Sequence, residues 1–243
     1  MLLLLLMGCA DDAASIGPGS GGTGQGGSLA RFTIIGDYLY ALETNQLNWF
    51  RLEANGQMES MGQLLLNEGK ETIFPLGDLL FVGATDGMSI FQVDSTGQPV
   101  LRSEIQHFLA CDPVVSDGEY AYVTLRTEGC GGFFRPNETE NVLNVYVVAD
   151  IDNPQWLASY PMRAPRGLGL AGDYLFVCEG QYGLRTLDVR DPTQAEFIAL
   201  DPDVHANDVI VLPDVLIVIG PDKLTQFDYS DPTNLRKLSE ISI

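Results

Sequence analysis

At 243 residues, 45% of them hydrophobic, the chain can form one or two packed domains, which excludes wholesale disorder. Thirty-three Asp and Glu against thirteen Lys and Arg give a formal net charge of −20. Nucleic acid is a poor partner for such a chain, because phosphate binding needs clustered Lys and Arg and the few present are scattered; the acidic surface reads as a solubility device.

In chain order, the first nine residues are MLLLLLMGC. The apolar run from Leu2 to Met7 is too short to cross a bilayer, which takes about 20 residues, and lacks a basic start. Its end, Leu6-Met7-Gly8-Cys9, resembles a bacterial lipobox, in which a small residue precedes a Cys that is lipidated and left at the new N-terminus by cleavage. That resemblance implies a signal and lipobox over 1–9, with Cys9 the lipidated residue, residues 1–8 removed and the true start upstream. Ala10-Asp11-Asp12 resembles the surface-export signals of Bacteroidetes lipoproteins. Residues 10–29, Gly/Ser-rich and uncharged from 15 onward, are predicted to be a flexible tether. The expected location is the bacterial outer membrane or cell surface, with the membrane touched only through the lipid anchor.

From residue 30 to 243 the chain repeats itself. GDYLYAL at 36, GDLLFVG at 77, GEYAYVT at 118, GDYLFVC at 172 and PDVLIVI at 213 share a turn followed by an apolar strand. The acidic turn residues Asp37, Asp78, Glu119, Asp173 and Asp214 are separated by 41, 41, 54 and 41 residues, a constant period with one insertion of 13. Each repeat reads as four strands: one before the Gly-Asp turn, the aromatic one after it, a third after a short loop, and a fourth closing the unit. Gly-Asp between two such strands is a hairpin signal, and no helical periodicity runs for a useful length. Four-strand units of roughly 40–45 residues are propeller blades, so the prediction is all-β: a five-bladed β-propeller of four-stranded antiparallel blades.

A second turn separates third and fourth strands. Asp150-Ile151-Asp152-Asn153-Pro154, Asp188-Val189-Arg190-Asp191-Pro192 and Asp228-Tyr229-Ser230-Asp231-Pro232 share the form D-x-x-[DN]-P, in which Asp or Asn caps a turn and Pro presets it. With the aromatic strand and third strands ending in Asp, this motif resembles the LVIVD-repeat proteins, propellers common among bacterial lipoproteins. ACDPVV at 110, YPMRAPRGLGL at 160 and FDYSDP at 227 further resemble uncharacterised Bacteroidetes members. The resemblance spans the folded body and implies fold and location without an activity.

In propellers the loops that lead into the innermost strands gather at one axial mouth. That rule places Glu71, Asp112, Arg166, His205, Asn207 and Asp208 there as candidate ligand-binding residues, with Arg166 the one cation among the carboxylates. The insertion within 126–142, carrying Phe133, Phe134 and Arg135, rises from the same face. Cys111 and Cys130 both fall on this face in an exported chain and are paired as a disulfide, with Cys130 to Cys178 the alternative; Cys178 itself is expected to be buried and free. Catalytic motifs are absent and two His are too few for a His-built metal centre, so no catalytic or metal residue is assigned and no cofactor is expected, although the mouth carboxylates would suit calcium. The resulting reading is a surface binding or scaffolding module for an extracellular or envelope protein or glycan, more a binder than an enzyme. Its rival is a carboxylate-dependent glycan hydrolase built on Glu71, Asp112 and Asp208.

Overall fold

The structure, a computed structural model, describes residues 26–43, 45–67, 69–106, 113–126 and 141–243. Five four-stranded antiparallel sheets follow one another along the chain, each in simple meander order. The first is β1 (Phe32–Ile35), β2 (Tyr38–Leu42), β3 (Gln46–Leu52) and β4 (Met58–Leu65). Next come β5 (Lys70–Leu76), β6 (Leu79–Ala84), β7 (Gly87–Val93) and β8 (Pro99–Gln106). The third is β9 (Val114–Ser116), β10 (Tyr120–Arg126), β11 (Asn141–Val147) and β12 (Gln155–Pro161). The fourth comprises β13 (Leu168–Ala171), β14 (Tyr174–Cys178), β15 (Leu184–Asp188) and β16 (Glu196–Asp201). The last holds β17 (Asp208–Val211), β18 (Val215–Ile219), β19 (Lys223–Asp228) and β20 (Arg236–Ser242). This is a β-propeller of five blades, as the 41-residue period predicts. The one helical element among the described residues is a 3-10 turn at Pro192–Gln194, in a D-x-x-[DN]-P turn.

The turn chemistry is as the residues dictate. Gly36, Gly77 and Gly172 each open a two-residue hairpin with φ of 55° to 59°, which only Gly adopts cheaply, and the following Asp keeps a negative φ. In the second turn the Asp side chains cap backbone N–H groups. Asp228 Oδ1 accepts from Ser230 N at 2.8 Å, and Asp231 and Asp191 Oδ1 each accept from the Thr N two residues on, both at 3.0 Å. Asn55 and Asp94 do the same in the first two blades, accepting from Gln57 N at 2.8 Å and Thr96 N at 2.7 Å. These Asp and Asn side chains are turn-formers.

Blades join through apolar faces. Tyr40, Leu42, Leu47 and Trp49 of the first pack on Ile73, Leu80, Val82 and Phe91 of the second. Phe81, Met88 and Ile90 then meet Val114, Ala121 and Val123 of the third blade. Tyr122, Leu143 and Val145 meet Leu168, Leu175 and Val177, and Phe176, Cys178 and Leu184 meet Val209, Leu216 and Val218. Among the described residues no such cluster joins the fifth blade to the first. The burial pattern agrees: β6, β10 and β14 are buried on both faces, whereas β2 and β18 alternate buried and half-buried.

Candidate functional site

The inner strands β1, β5, β9, β13 and β17 all start at one end of the axis, and the candidate residues lie at or just before those starts. Counted back from the turn acid of its own repeat, one repeat position holds Ala30, Glu71, Asp112, Arg166 and Asn207, and the next holds Arg31, Thr72, Pro113, Gly167 and Asp208. The structure brings Arg166, Asn207 and Asp208 together where the fourth and fifth blades begin. Gly167 N–H donates to the Asn207 carbonyl at 3.0 Å, and a Cβ on Gly167 would lie 2.0 Å from Asp208 Oδ1. Arg166 N–H donates to the Cys178 carbonyl at 2.7 Å, and Thr124 Oγ1 in the third blade donates to the Arg166 carbonyl at 2.6 Å. His205 is exposed, two residues short of this cluster.

Glu71 belongs to a second group. Half-buried on β5, its carboxyl is raised by burial, against which the guanidinium groups of Arg31 and Arg126 pull it down. Arg31 Nε donates to the Leu42 carbonyl at 3.3 Å and Nη2 to the Lys70 carbonyl at 3.4 Å. Arg166 is therefore not the one cation near these carboxylates: Arg31 and Arg126 act on Glu71. Nor does Arg166 form an ion pair within 4 Å of a described carboxylate. Asp112, Cys111, Cys130, Cys9 and the insertion residues 127–140 lie outside the described residues. Cys178 is free and fully buried, and burial pushes its thiol well up.

Asp208 is 7% exposed, and burial raises its carboxyl to about 6. Its partners include residues expected to belong to the tether. Ser28 Oγ donates to Asp208 Oδ1 at 3.2 Å, Leu29 N–H to Oδ2 at 3.3 Å, and Val209 N–H to Oδ1 at 2.9 Å. Ser28, 1% exposed, also accepts at 2.7 Å from Leu168 N–H. Residues 26–29 thus continue into the folded body.

Beside this cluster, the β14–β15 loop is held by a buried carboxylate. Glu179, 0% exposed, accepts from Arg163 N–H at 2.6 Å through Oε1, and from Arg185 Nε and Nη2 at 2.7 Å through Oε2. The exposed Arg163 guanidinium lies over the Tyr182 ring, 5.7 Å from its centre. Sequence reasoning missed Ser28, Arg31, Arg126, Arg163, Glu179 and Tyr182. Arg163 was findable, because it sits three residues before Arg166 in the same loop; Ser28 was not, because nothing distinguishes it from the other Gly/Ser residues of the segment.

No protein-family model and no curated protein matches the chain. Solved structures do. A protein from Lactobacillus plantarum superimposes with a TM-score of 0.62 at 14% identity, over 85% of this chain and 68% of that one. The periplasmic gluconolactonase of Pseudomonas aeruginosa gives 0.63 at 16%, over 86% of this chain and 70% of the other. A hypothetical selenium-binding protein from Sulfolobus tokodaii gives 0.62 at 11%, over 86% and 59%. At these identities the likeness is one of fold alone. The β-propeller is secure. The chain spans between 59% and 70% of the length of these three structures.

Proposed function

We propose that this propeller is an exported, lipid-anchored binding module whose axial mouth takes a carboxylate-bearing ligand of the cell envelope, an acidic glycan before an acidic protein segment. The observation that carries the reading is the state of the basic residues. Arg51, Arg102, Arg185, Arg190, Arg236, Lys223 and Lys237 are each paired with Asp or Glu. Arg163 and Arg166, three residues apart at the mouth, form no ion pair among the described residues. Arginine in that state offers a planar fork of donors that suits a carboxylate, and a guanidinium stacked on Tyr182 loses less freedom on binding. An otherwise acidic surface around it would repel anions that fail to reach these groups. Catalysis is a weaker reading, since Asp208 is spent on Ser28, Leu29 and Val209, and the gluconolactonase likeness extends to fold only.

Support for anchoring is the Leu6-Met7-Gly8-Cys9 motif and the Gly/Ser-rich stretch behind it. Cys9→Ser in the full-length gene is expected to release the protein from the membrane fraction; unchanged association would refute the anchor. For the mouth, titration with an oligogalacturonate is expected to show binding that weakens at least tenfold in Arg163→Ala and Arg166→Ala. Binding of a poly-aspartate peptide in preference to the oligosaccharide would reassign the ligand to protein, and no binding of either would remove the reading.

A further inference from the structure

Gly27 to Ala30 form a tight turn, closed by a 3.0 Å hydrogen bond from Ala30 N–H to the Gly27 carbonyl. Its position is unusual for a linker. At one end Ser28 and Leu29 bond to Leu168 and Asp208, where the fourth and fifth blades begin. At the other, the Ala30 carbonyl accepts from Ile73 N–H of the second blade at 2.9 Å, and the Arg31 carbonyl from Leu42 N–H of the first at 2.7 Å. The turn therefore links the starts of the fourth and fifth blades to the inner strand of the second. The fit is close: a Cβ on Gly27 would lie 2.1 Å from Asp208 Oδ2, so only glycine lets the backbone come this near. Leu29, 40% exposed, turns outward over it.

The same turn stands where packing is missing. The four successive blade joints have apolar cores, and among the described residues the fifth-to-first joint has none. Hydrogen bonds from Ser28 and Leu29 to Asp208 reach across there instead of a sheet-on-sheet interface. Such contacts each contribute little net stability, because water replaces them when they open, whereas an apolar joint must expose its whole area.

We propose that residues 27–30 are a detachable clasp: seated, they shut the axial mouth and hold the fifth blade to the first and second, and released, they open the way to Arg166 and Asn207 for ligand. The gating half of this rests on the mouth being the binding site; the clasp half does not. Because the clasp is the end of the segment leading to Cys9, tension or binding on that segment would reach the mouth directly.

The test uses the full chain with Gly27→Val, which collides with Asp208, beside Asp208→Asn and Ser28→Ala, which keep the space and remove bonds. Hydrogen exchange is expected to speed at least tenfold at Leu29 and Leu168 in Gly27→Val, less in the other two, with β6 and β10 unchanged. Unchanged exchange at Leu168 in Gly27→Val and Asp208→Asn, or loss of protection spread equally into β10, would overturn the clasp. Oligogalacturonate is expected to bind Gly27→Val at least tenfold tighter than wild type. Equal affinity for both would overturn the gate while sparing the ligand reading. Binding to neither protein would remove the ligand reading, and with it the gate, leaving the clasp to be judged on exchange alone.

Discussion

Asp208 shows how one carboxylate couples the mouth to stability. Its pKa of about 6 in the folded protein comes from burial, which outweighs the hydrogen bonds from Val209, Leu29 and Ser28 that pull it down. An unfolded aspartate titrates near about 3.9, so the folded state holds the proton more tightly. The stability this confers is full below about pH 4 and lost as pH rises through about 6, a swing of about 3 kcal/mol. Wild type is expected to gain thermal stability between pH 7 and 5 relative to Asp208→Asn; parallel melting curves across that range would show that Asp208 does not titrate there. Glu179 is a different case. It is fully buried and balanced by Arg185 and the Arg163 N–H, so Glu179→Ala strands a partly buried guanidinium and an unmatched N–H and is expected to cost about 3 kcal/mol by chemical denaturation.

At the scale of elements, the five blades share an irregularity the repeat motif does not announce. Pairing of third with fourth strand slips by one residue at Trp49/Phe50, Ile90/Phe91, Val145/Tyr146, Thr186/Leu187 and Gln226/Phe227. A bulge at the same place in every blade adds twist to the outer strand, where a blade must splay away from its neighbours. Glycines inside the blades divide by what surrounds them. Gly172, φ +55°, has open space where a Cβ would be, so Gly172→Ala is expected to cost about 1 kcal/mol from backbone strain alone. Gly183, φ +108°, would place a Cβ 2.2 Å from the Asp201 carbonyl oxygen on β16. Gly183→Ala should therefore shift the denaturation midpoint at least twice as far; equal shifts would mean the β15–β16 edge yields freely.

For the whole molecule, the consequence of four apolar joints is that end blades and middle blades differ. Val218 on β18 is 0% exposed in the joint with the fourth blade, while its neighbour Ile217 points to the other face and is half-buried. Val218→Asp places an unpaired charge in a core and is expected to cost about 4 kcal/mol or prevent folding; Ile217→Asp should cost about 1 kcal/mol. Comparable losses would show that the outer face of the fifth blade is packed after all. Amide protection should likewise be highest in β6, β10 and β14 and lower in β2 and β18, since local opening follows the number of buried apolar faces.

The sequence by itself determined the repeat, the hairpins and the capped turns. Those depend on interactions within about five residues: Gly36, Gly77 and Gly172 supply a positive φ, and Asp191, Asp228 and Asp231 bond to N–H groups two residues away. It also carried Glu71, Arg166, Asn207 and Asp208 to the starts of inner strands, because they occupy two adjacent positions of the repeat. What only the tertiary structure decided is which of these residues meet, and what else joins them. The bond between Ser28 and Asp208 spans 180 residues, and Ser28 sits in a Gly/Ser stretch that has no apolar period and reads locally as linker. The charge state of Asp208 follows from desolvation, which is set by every chain segment that covers it and by no local signal. The lack of an apolar core at the fifth-to-first joint among the described residues follows the same logic: β2 and β18 have the apolar composition of the inner blades, and whether their second faces find a partner is a matter of how the blades are arranged around the axis, which no single repeat encodes.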